Sequence, residues 1–354
     1  MRRALELARR APFTAPNPRV GAVVVRRGAI LGEGWHEGPG TPHAEVAAIA
    51  GRDVTGATVY VTLEPCNHHG RTPPCAPGLV AAGVARVVVA HEDPDPRVRG
   101  RGLAHLRSRG VDVRLGVLAG EAERVNRAYL HHARRRRPLL TLKLALSLDG
   151  RMAASDGSAR WITGAPARRR VHRRRAEVDA VMVGAGTVLA DDPQLTARAG
   201  ASRQPGRVIV DGRGRVPPEA RVFAPGAEVI VATTDRCPHD LQTAWKEAGA
   251  EVAVLPEAGG GVDLTALLGW LGERPLLELL CEGGPRLATS LLAADLVDRL
   301  ELHYGPVLLG DGGRSLGDLG VTTMAAARRW HCVEAARRGE DAIVVLEPPP
   351  ERDG

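Results

Sequence analysis

Three residues spread over the first part of the chain, His43, Cys66 and Cys75, constrain its folding more than any others. His43 opens a His-Ala-Glu triplet, Cys66 follows Pro65, and Cys75 closes an insert running Asn67-His68-His69-Gly70-Arg71-Thr72-Pro73-Pro74. One imidazole and two thiolates suit zinc and leave a fourth tetrahedral position open for water, which marks a catalytic site rather than a closed structural one. The pKa of a zinc-bound water falls toward neutrality. Glu45 sits two residues after His43, about 200° around a helix from it. The histidine can therefore hold metal while the carboxylate faces water and substrate to move protons. His68 and His69 are further imidazoles, but His43 and the two cysteines already fill the protein's share of ligands. The insert is better explained as a substrate loop that presents His68 and Arg71 to sugar or phosphate.

The surrounding pattern is one of alternating strands and helices. Ala22–Val25 and Ala29–Leu31 flank an Arg26-Arg27-Gly28 turn and predict a hairpin. Residues 43–50 have helical spacing, with His43 at the amino end. Thr58–Leu63 is a β-branched run that delivers Glu64-Pro65-Cys66, with Cys66 expected to begin the next helical turn. A helix over Gly78–Gly83 and strands at Val84–Ala90 and Val111–Leu115 complete an α/β layered pattern. Arg134–Arg137, four like charges ending in Pro138, predict a solvated linker dividing residues 1–137 from 138–354. Beyond it, Leu139–Leu146, Ala180–Val183, Arg207–Val210, Glu228–Ala232, Glu251–Val254, Leu276–Leu280 and Ala342–Leu346 predict the strands of a second α/β region. That region has no G-x-G-x-x-G, so a Rossmann dinucleotide site has no support. Gly184-Ala185-Gly186-Thr187 and Glu282-Gly283-Gly284-Pro285 each follow a strand, where backbone N–H groups can hold a phosphate.

Composition narrows the function classes. No apolar run approaches the roughly 18 residues of a spanning helix, and Met1–Leu7 predicts an amphipathic helix, not a signal peptide. Five cysteines without framework spacing suit a reducing compartment, so the cytoplasm is the expected location; Cys237, Cys281 and Cys332 are expected to be small buried apolar residues. The net charge of +7 invites nucleic acid, but aromatic residues are only 3%, which leaves few stacking platforms. A phosphorylated substrate and a phosphorylated cofactor account for the arginines equally well.

His43 and Glu45 with Pro65-Cys66 and Cys75 form the H-x-E…P-C…C signature of zinc deaminases acting on amino-substituted nucleobases. The wider set of motifs resembles the bifunctional riboflavin-biosynthesis deaminase/reductase family. It comprises Pro16-Asn17-Pro18-Arg19-Val20-Gly21, Thr62-Leu63-Glu64-Pro65-Cys66, Thr72-Pro73-Pro74-Cys75, Asp93-Pro94-Asp95-Pro96 and Gly100-Arg101-Gly102 in the first half. In the second half stand Lys143–Gly150, Trp161-Ile162-Thr163-Gly164, Asp191-Asp192-Pro193-Gln194-Leu195 and Glu282-Gly283-Gly284. The resemblance implies a cytidine-deaminase-like three-layer α/β domain followed by a dihydrofolate-reductase-like α/β domain. It implies zinc-dependent hydrolytic deamination of a phosphoribosylated diaminopyrimidinone, then NADPH-dependent reduction of the ribosyl group to ribityl.

By the same resemblance Asn17, His36, His68 and Arg71 contact the pyrimidine, and Lys143 lies near the reacting carbon of the reductase. Arg175, Leu195, Arg198 and Glu282 face the phosphoribosyl substrate. Ala145, Trp161, Thr187, Asp191 and the turn from Gly284 to Ser290 hold NADPH. The other arginines of the run Arg168–Arg175 are then expected on a solvated helix face. The chain departs from the family's usual pattern in Ala11-Pro12-Phe13, Arg71 and Asp95, and in Ala159 where serine is usual, with Ser158 one position earlier. That last change either removes a substrate hydrogen bond or shifts it by one residue. The implied partner is the phosphoribosylated pyrimidine, with no nucleic acid and no membrane; a homo-oligomer is compatible. Two other readings fit the motifs: a deaminase with a non-catalytic rear domain, and an RNA-editing deaminase gripping phosphates through its arginines.

Overall fold

A computed structural model describes residues 1–11, 13–69, 73–198, 200–201 and 203–349. The chain divides into two compact units, Met1–Arg136 and Arg137–Gly354.

In the first unit α1 (Arg2–Ala8) precedes a hairpin of β1 (Gly21–Arg26) and β2 (Ala29–Trp35). Its turn residues Arg27 and Gly28 both have positive φ, 51° and 84°, as a tight two-residue connection requires. There follow α2 (Ala44–Ile49), β3 (Thr58–Val61), α3 (Cys75–Ala81), β4 (Arg86–Val89), α4 (Arg101–Ser108), β5 (Asp112–Leu115) and α5 (Ala119–Arg135). The sheet order is β2-β1-β3-β4-β5, with β1 antiparallel to its neighbours and the rest parallel. Strand alternation builds two cores. Ala22, Val24, Val59, Val61, Val87 and Val89 pack against Ala44 and Ala48 of α2, Leu79 of α3 and Leu103 and Leu106 of α4. On the other face Val23 meets Ala4 and Leu7 of α1, and Leu5 packs with Ala122 of α5. Three layers result, α/β/α.

Two local expectations change. Cys66 does not begin a helical turn; it lies in a loop, and α3 starts at Cys75, ahead of the expected Gly78. Pro73 and Pro74 hold extended backbone up to the helix start, and Cys66 serves that start: its carbonyl accepts from the Ala76 N–H at 3.0 Å. The arginine run is not a bare linker either. α5 extends through Arg135, Arg136 caps it with φ 57°, and Arg137 makes two hydrogen bonds to Asp298, at 2.7 and 2.8 Å.

The second unit runs β6 (Leu139–Leu146), β7 (Arg151–Ala153), α6 (Ala165–Glu177), β8 (Ala180–Gly184), α7 (Ala185–Asp191), β9 (Gly206–Val210), β10 (Val229–Thr233), α8 (His239–Glu247) and β11 (Glu251–Val254). It continues with a short hairpin of β12 (Glu257–Ala258) and β13 (Gly261–Val262), then α9 (Leu264–Gly272), β14 (Glu278–Cys281), α10 (Pro285–Ala293), β15 (Arg299–Tyr304), β16 (Gly313–Arg314), β17 (His331–Arg338) and β18 (Asp341–Glu347). The main sheet has the order β11-β10-β9-β8-β14-β6-β15-β18-β17, parallel except where β18 joins β15 and β17. Leu140, Leu142, Leu144 and Leu146 of β6 pack with α9 and α10; period two turns Thr141, Lys143 and Ala145 to the opposite face, under α6.

There the expected solvated arginine face is overturned for Arg170 and Arg174. β14 and β15 present acids beneath α6, and Arg174 pairs with Glu278 at 2.6 Å while Arg170 pairs with Glu301 at 3.2 Å. Cys237 and Cys281 are buried as expected, but Cys332 is exposed because it lies on the edge strand β17. Among the described residues no helix is long and apolar enough to cross a membrane.

Candidate active sites

His43 sits immediately ahead of α2 with extended backbone, φ −68° and ψ 156°. Gly34 on β2 allows that approach, since a Cβ there would lie 2.3 Å from the Ala44 carbonyl oxygen. His43 Nδ1 is 3.1 Å from Cys75 Sγ and 3.6 Å from Cys66 Sγ, and the Cys75 N–H donates to Cys66 Sγ at 3.3 Å. The three ligand atoms lie within 4.8 Å of one another. The hydrogen bond from Cys75 holds Cys66 down to about 4, and the same bond pushes Cys75 up. An imidazole and two neighbouring thiols are a donor set that a zinc ion fits.

Glu45 lies in the first turn of α2, 4% exposed. Burial, reinforced by the charge of Cys66, pushes its carboxyl up to about 7, where an acid can both give and take a proton. His36 is also buried, and burial holds its pKa down. Its Nδ1 faces the Pro42 carbonyl at 3.2 Å and so carries the proton; Nε2 then accepts from Asn17 Nδ2 at 2.9 Å, which fixes the direction of the Asn17 amide. The His36 ring stands edge-on to His43, centroids 5.6 Å apart. The structure thus brings Asn17, His36, His43, Cys66 and Cys75 together. His68, on the loop after Cys66, has a buried Nδ1 without a hydrogen-bond partner among the described residues. Arg71 lies outside the described residues.

The loop carrying Cys66 is anchored by residues to which sequence reasoning gave no role. Glu64 accepts from the N–H groups of Gly100, Gly102 and Leu103 at 2.9, 2.9 and 3.2 Å, so one carboxylate satisfies the exposed donors at the start of α4. Gly102 lets α4 lie against that loop, since a Cβ there would come 1.9 Å from the Pro65 carbonyl oxygen. Asp93 accepts from Tyr129 Oη at 3.0 Å and from the Asp95 N–H at 2.9 Å, and burial pushes it up to about 6.

In the second unit Lys143 stands mid-strand on β6, in register with Glu301 on β15. Burial pulls its pKa down, and Glu282 partly opposes this. Glu282 follows β14 and is held by a two-bond fork from Arg175, at 2.6 and 3.1 Å. Burial would raise Glu282, but the charge and hydrogen bonds of Arg175 hold it low. Arg175 also donates to the Thr196 carbonyl at 3.1 Å, next to Leu195, which is buried with φ 54°. Arg198 is exposed.

A cleft of about 1030 Å³ opens where β8, β9 and β14 end. Thr187, Asp191, Glu282, Gly284 and Ser290 line it. The Gly284 N–H, at the start of α10, donates to Thr187 Oγ1 of α7 at 3.0 Å. Of the other predicted residues, Lys143, Ala145, Trp161, Arg175, Leu195 and Arg198 are not among its walls. Trp161 is 66% exposed, with Arg168 over its ring at 4.4 Å. Ala159 lines the cleft, whereas Ser158 is not among its walls and its hydroxyl donates to Asp156 at 2.7 Å.

Residues 138–344 match the RibD C-terminal domain, and residues 1–91 match the cytidine and deoxycytidylate deaminase zinc-binding region. The riboflavin biosynthesis protein RibD of Escherichia coli is 43% identical, over 98% of both chains. RibD of Aquifex aeolicus is 41% identical over 98% of this chain and 97% of its own. The chain belongs to the RibD family. The solved structure of Acinetobacter baumannii RibD superposes with a TM-score of 0.88 at 37% identity, covering 98% of this chain and 97% of that one. A diaminohydroxyphosphoribosylaminopyrimidine deaminase/5-amino-6-(5-phosphoribosylamino)uracil reductase from Thermotoga maritima gives 0.86 at 35%, covering 99% and 97%. The RibD family combines a deaminase and a reductase of riboflavin biosynthesis in one chain, the first with zinc and the second with NADPH, and acts on phosphoribosylated pyrimidines. A match over both units sets aside the non-catalytic rear domain and the RNA-editing reading.

Proposed function

We propose that residues 1–137 deaminate 2,5-diamino-6-(5-phosphoribosylamino)pyrimidin-4(3H)-one by hydrolysis, and that residues 138–354 reduce the product's ribosyl group to ribityl. The observation that carries this reading is the pairing, in one chain, of a half-buried His43–Cys66–Cys75 cluster beside the buried Glu45 with a Lys143–Glu282–Arg175 group next to a nucleotide-sized cleft.

In the first unit His43, Cys66 and Cys75 would hold zinc, which supplies Lewis acidity toward a bound water. Glu45 would take a proton from the attacking water and give it to the ring nitrogen. Once the water's oxygen has bonded to the amino-bearing carbon, Glu45 would carry the remaining hydroxyl proton to the amino group, which leaves as ammonia as the carbonyl forms. Asn17, oriented by His36, binds the pyrimidine edge, and His68, whose Nδ1 has no hydrogen-bond partner among the described residues, contacts sugar or phosphate, a role this reading also gives to Arg71. In the second unit Thr187, Asp191, Gly284 and Ser290, with Ala145 and Trp161, would hold NADPH, which supplies a hydride. Lys143 donates the proton taken up by the nitrogen of the ring-opened imine as its carbon is reduced. Glu282 and Arg175 keep that lysine facing substrate, while Leu195 and Arg198 position the phosphoribosyl group. The working location is the cytoplasm.

One assay tests both halves: purified protein with the diaminopyrimidinone, with and without NADPH. Ammonia is released in both cases, and NADPH is consumed only after deamination. If pre-deaminated substrate does not consume NADPH, the reading of the second unit fails.

A further inference from the structure

The cleft of the second unit extends past every residue assigned above, toward β9. The sheet order β6-β14-β8-β9 puts Lys143's strand and β9 three spacings apart, about 14 Å, a span that an extended dinucleotide covers from ring to ring. α10 starts in the middle of that span, where its Gly284 N–H donates to Thr187 Oγ1; a dinucleotide laid along the span has its pyrophosphate near that helix start. The reactive ring then lies toward β6 and the adenosine ribose at the end of β9.

What β9 presents to that ribose is unusual. In dinucleotide folds an acid at this kind of strand end accepts from the ribose 2′-hydroxyl. Asp211 stands just beyond β9, but it is 1% exposed and accepts from the N–H groups of Arg215 and Val216, the latter at 2.8 Å. Its carboxylate is folded into its own turn. Two residues on, Arg213 lines the cleft with an exposed side chain. Among the described residues no carboxylate lies within 4 Å of its guanidinium, whereas Arg215 is held 3.7 Å from Asp211. Across from it the β12–β13 turn is glycine, and a Cβ on Gly260 would stand 3.9 Å from Arg213 Nη2, so that residue adds no side chain against the guanidinium.

We propose that Arg213 grips the 2′-phosphate of the dinucleotide and makes this unit choose the phosphorylated over the unphosphorylated cofactor. A guanidinium fork matches a phosphate and offers a 2′-hydroxyl nothing to donate to. The proposal rests on the reading of this unit as an NADPH reductase. The test is binding of the fragments 2′,5′-ADP and 5′-AMP to the full chain by calorimetry, which needs no turnover. Wild type prefers 2′,5′-ADP. Arg213→Ala weakens that fragment roughly 10- to 100-fold and leaves 5′-AMP unchanged, while Arg213→Lys recovers part of the preference. A preference that survives in Arg213→Ala overturns this assignment alone. If wild type binds neither fragment, both the assignment and the reductase reading fall.

Discussion

Glu45 is held in a place that penalises its charge, and the proposed deaminase chemistry uses that. A carboxyl pushed up to about 7 by burial can exist in either form at working pH. Glu45→Gln keeps the shape and removes the titration. The variant should bind zinc at wild-type stoichiometry, by metal analysis, while ammonia release falls by roughly 10²- to 10⁴-fold; normal turnover would sink the proton-shuttle role. His43, Cys66, Cys75 and Glu45 were legible in the sequence because metal and proton chemistry demands those residue types at short spacing. Glu64 was not legible as an anchor. Its task is to accept from backbone N–H groups of Gly100, Gly102 and Leu103, and backbone donors leave no mark in a sequence.

At the scale of elements, most strands of the two main sheets could be read from their apolar runs. β15 and the edge strand β17 could not, because both carry polar and charged residues in place of an apolar run, and neither could what lies over the sheets. α6 is so rich in arginine that no apolar stripe marks its buried side; its inner face is set by Glu278 and Glu301 on strands far along the chain. Those pairs make stability depend on pH. Glu301 is buried, yet a hydrogen bond from His303 and the charges of Arg174 and Arg170 hold it at about 2, below its ordinary 4.5. A depressed acid stabilises the fold above its unfolded pKa and loses that contribution as pH falls through the folded one. Glu301→Gln should therefore cost about 3 kcal/mol at pH 7, and its Tm deficit should shrink between pH 4.5 and 2. An equal deficit throughout would show that packing, not charge, is lost. In the first unit the corresponding test is Gly102→Ala. The new methyl meets the Pro65 carbonyl, so α4 or the Cys66 loop must move. We expect about 1–3 kcal/mol of destabilisation and weaker zinc retention against a chelator; unchanged zinc retention would show that α4 does not position Cys66.

For the whole molecule the question is whether two chemistries in one chain need to be in the same copy of it. Each compact unit carries its own set of candidate residues: Glu45 and the metal cluster lie within Met1–Arg136, and Lys143, Arg175, Glu282 and the cleft within Arg137–Gly354. The charge run before proline, expected to be a solvated linker, divides between the end of α5 and the Arg137–Asp298 pair. If the units work independently, damage to one leaves the other intact. Lys143→Met should release ammonia at the wild-type rate without consuming NADPH, and Glu45→Gln should consume NADPH with pre-deaminated substrate only. An equimolar mixture of the two variants, given the diaminopyrimidinone and NADPH, should then form the ribityl product after a lag while free intermediate builds up. Followed by NADPH absorbance beside ammonia release, failure of the mixture while each half-reaction still runs alone would mean that the intermediate must be handed on within one chain.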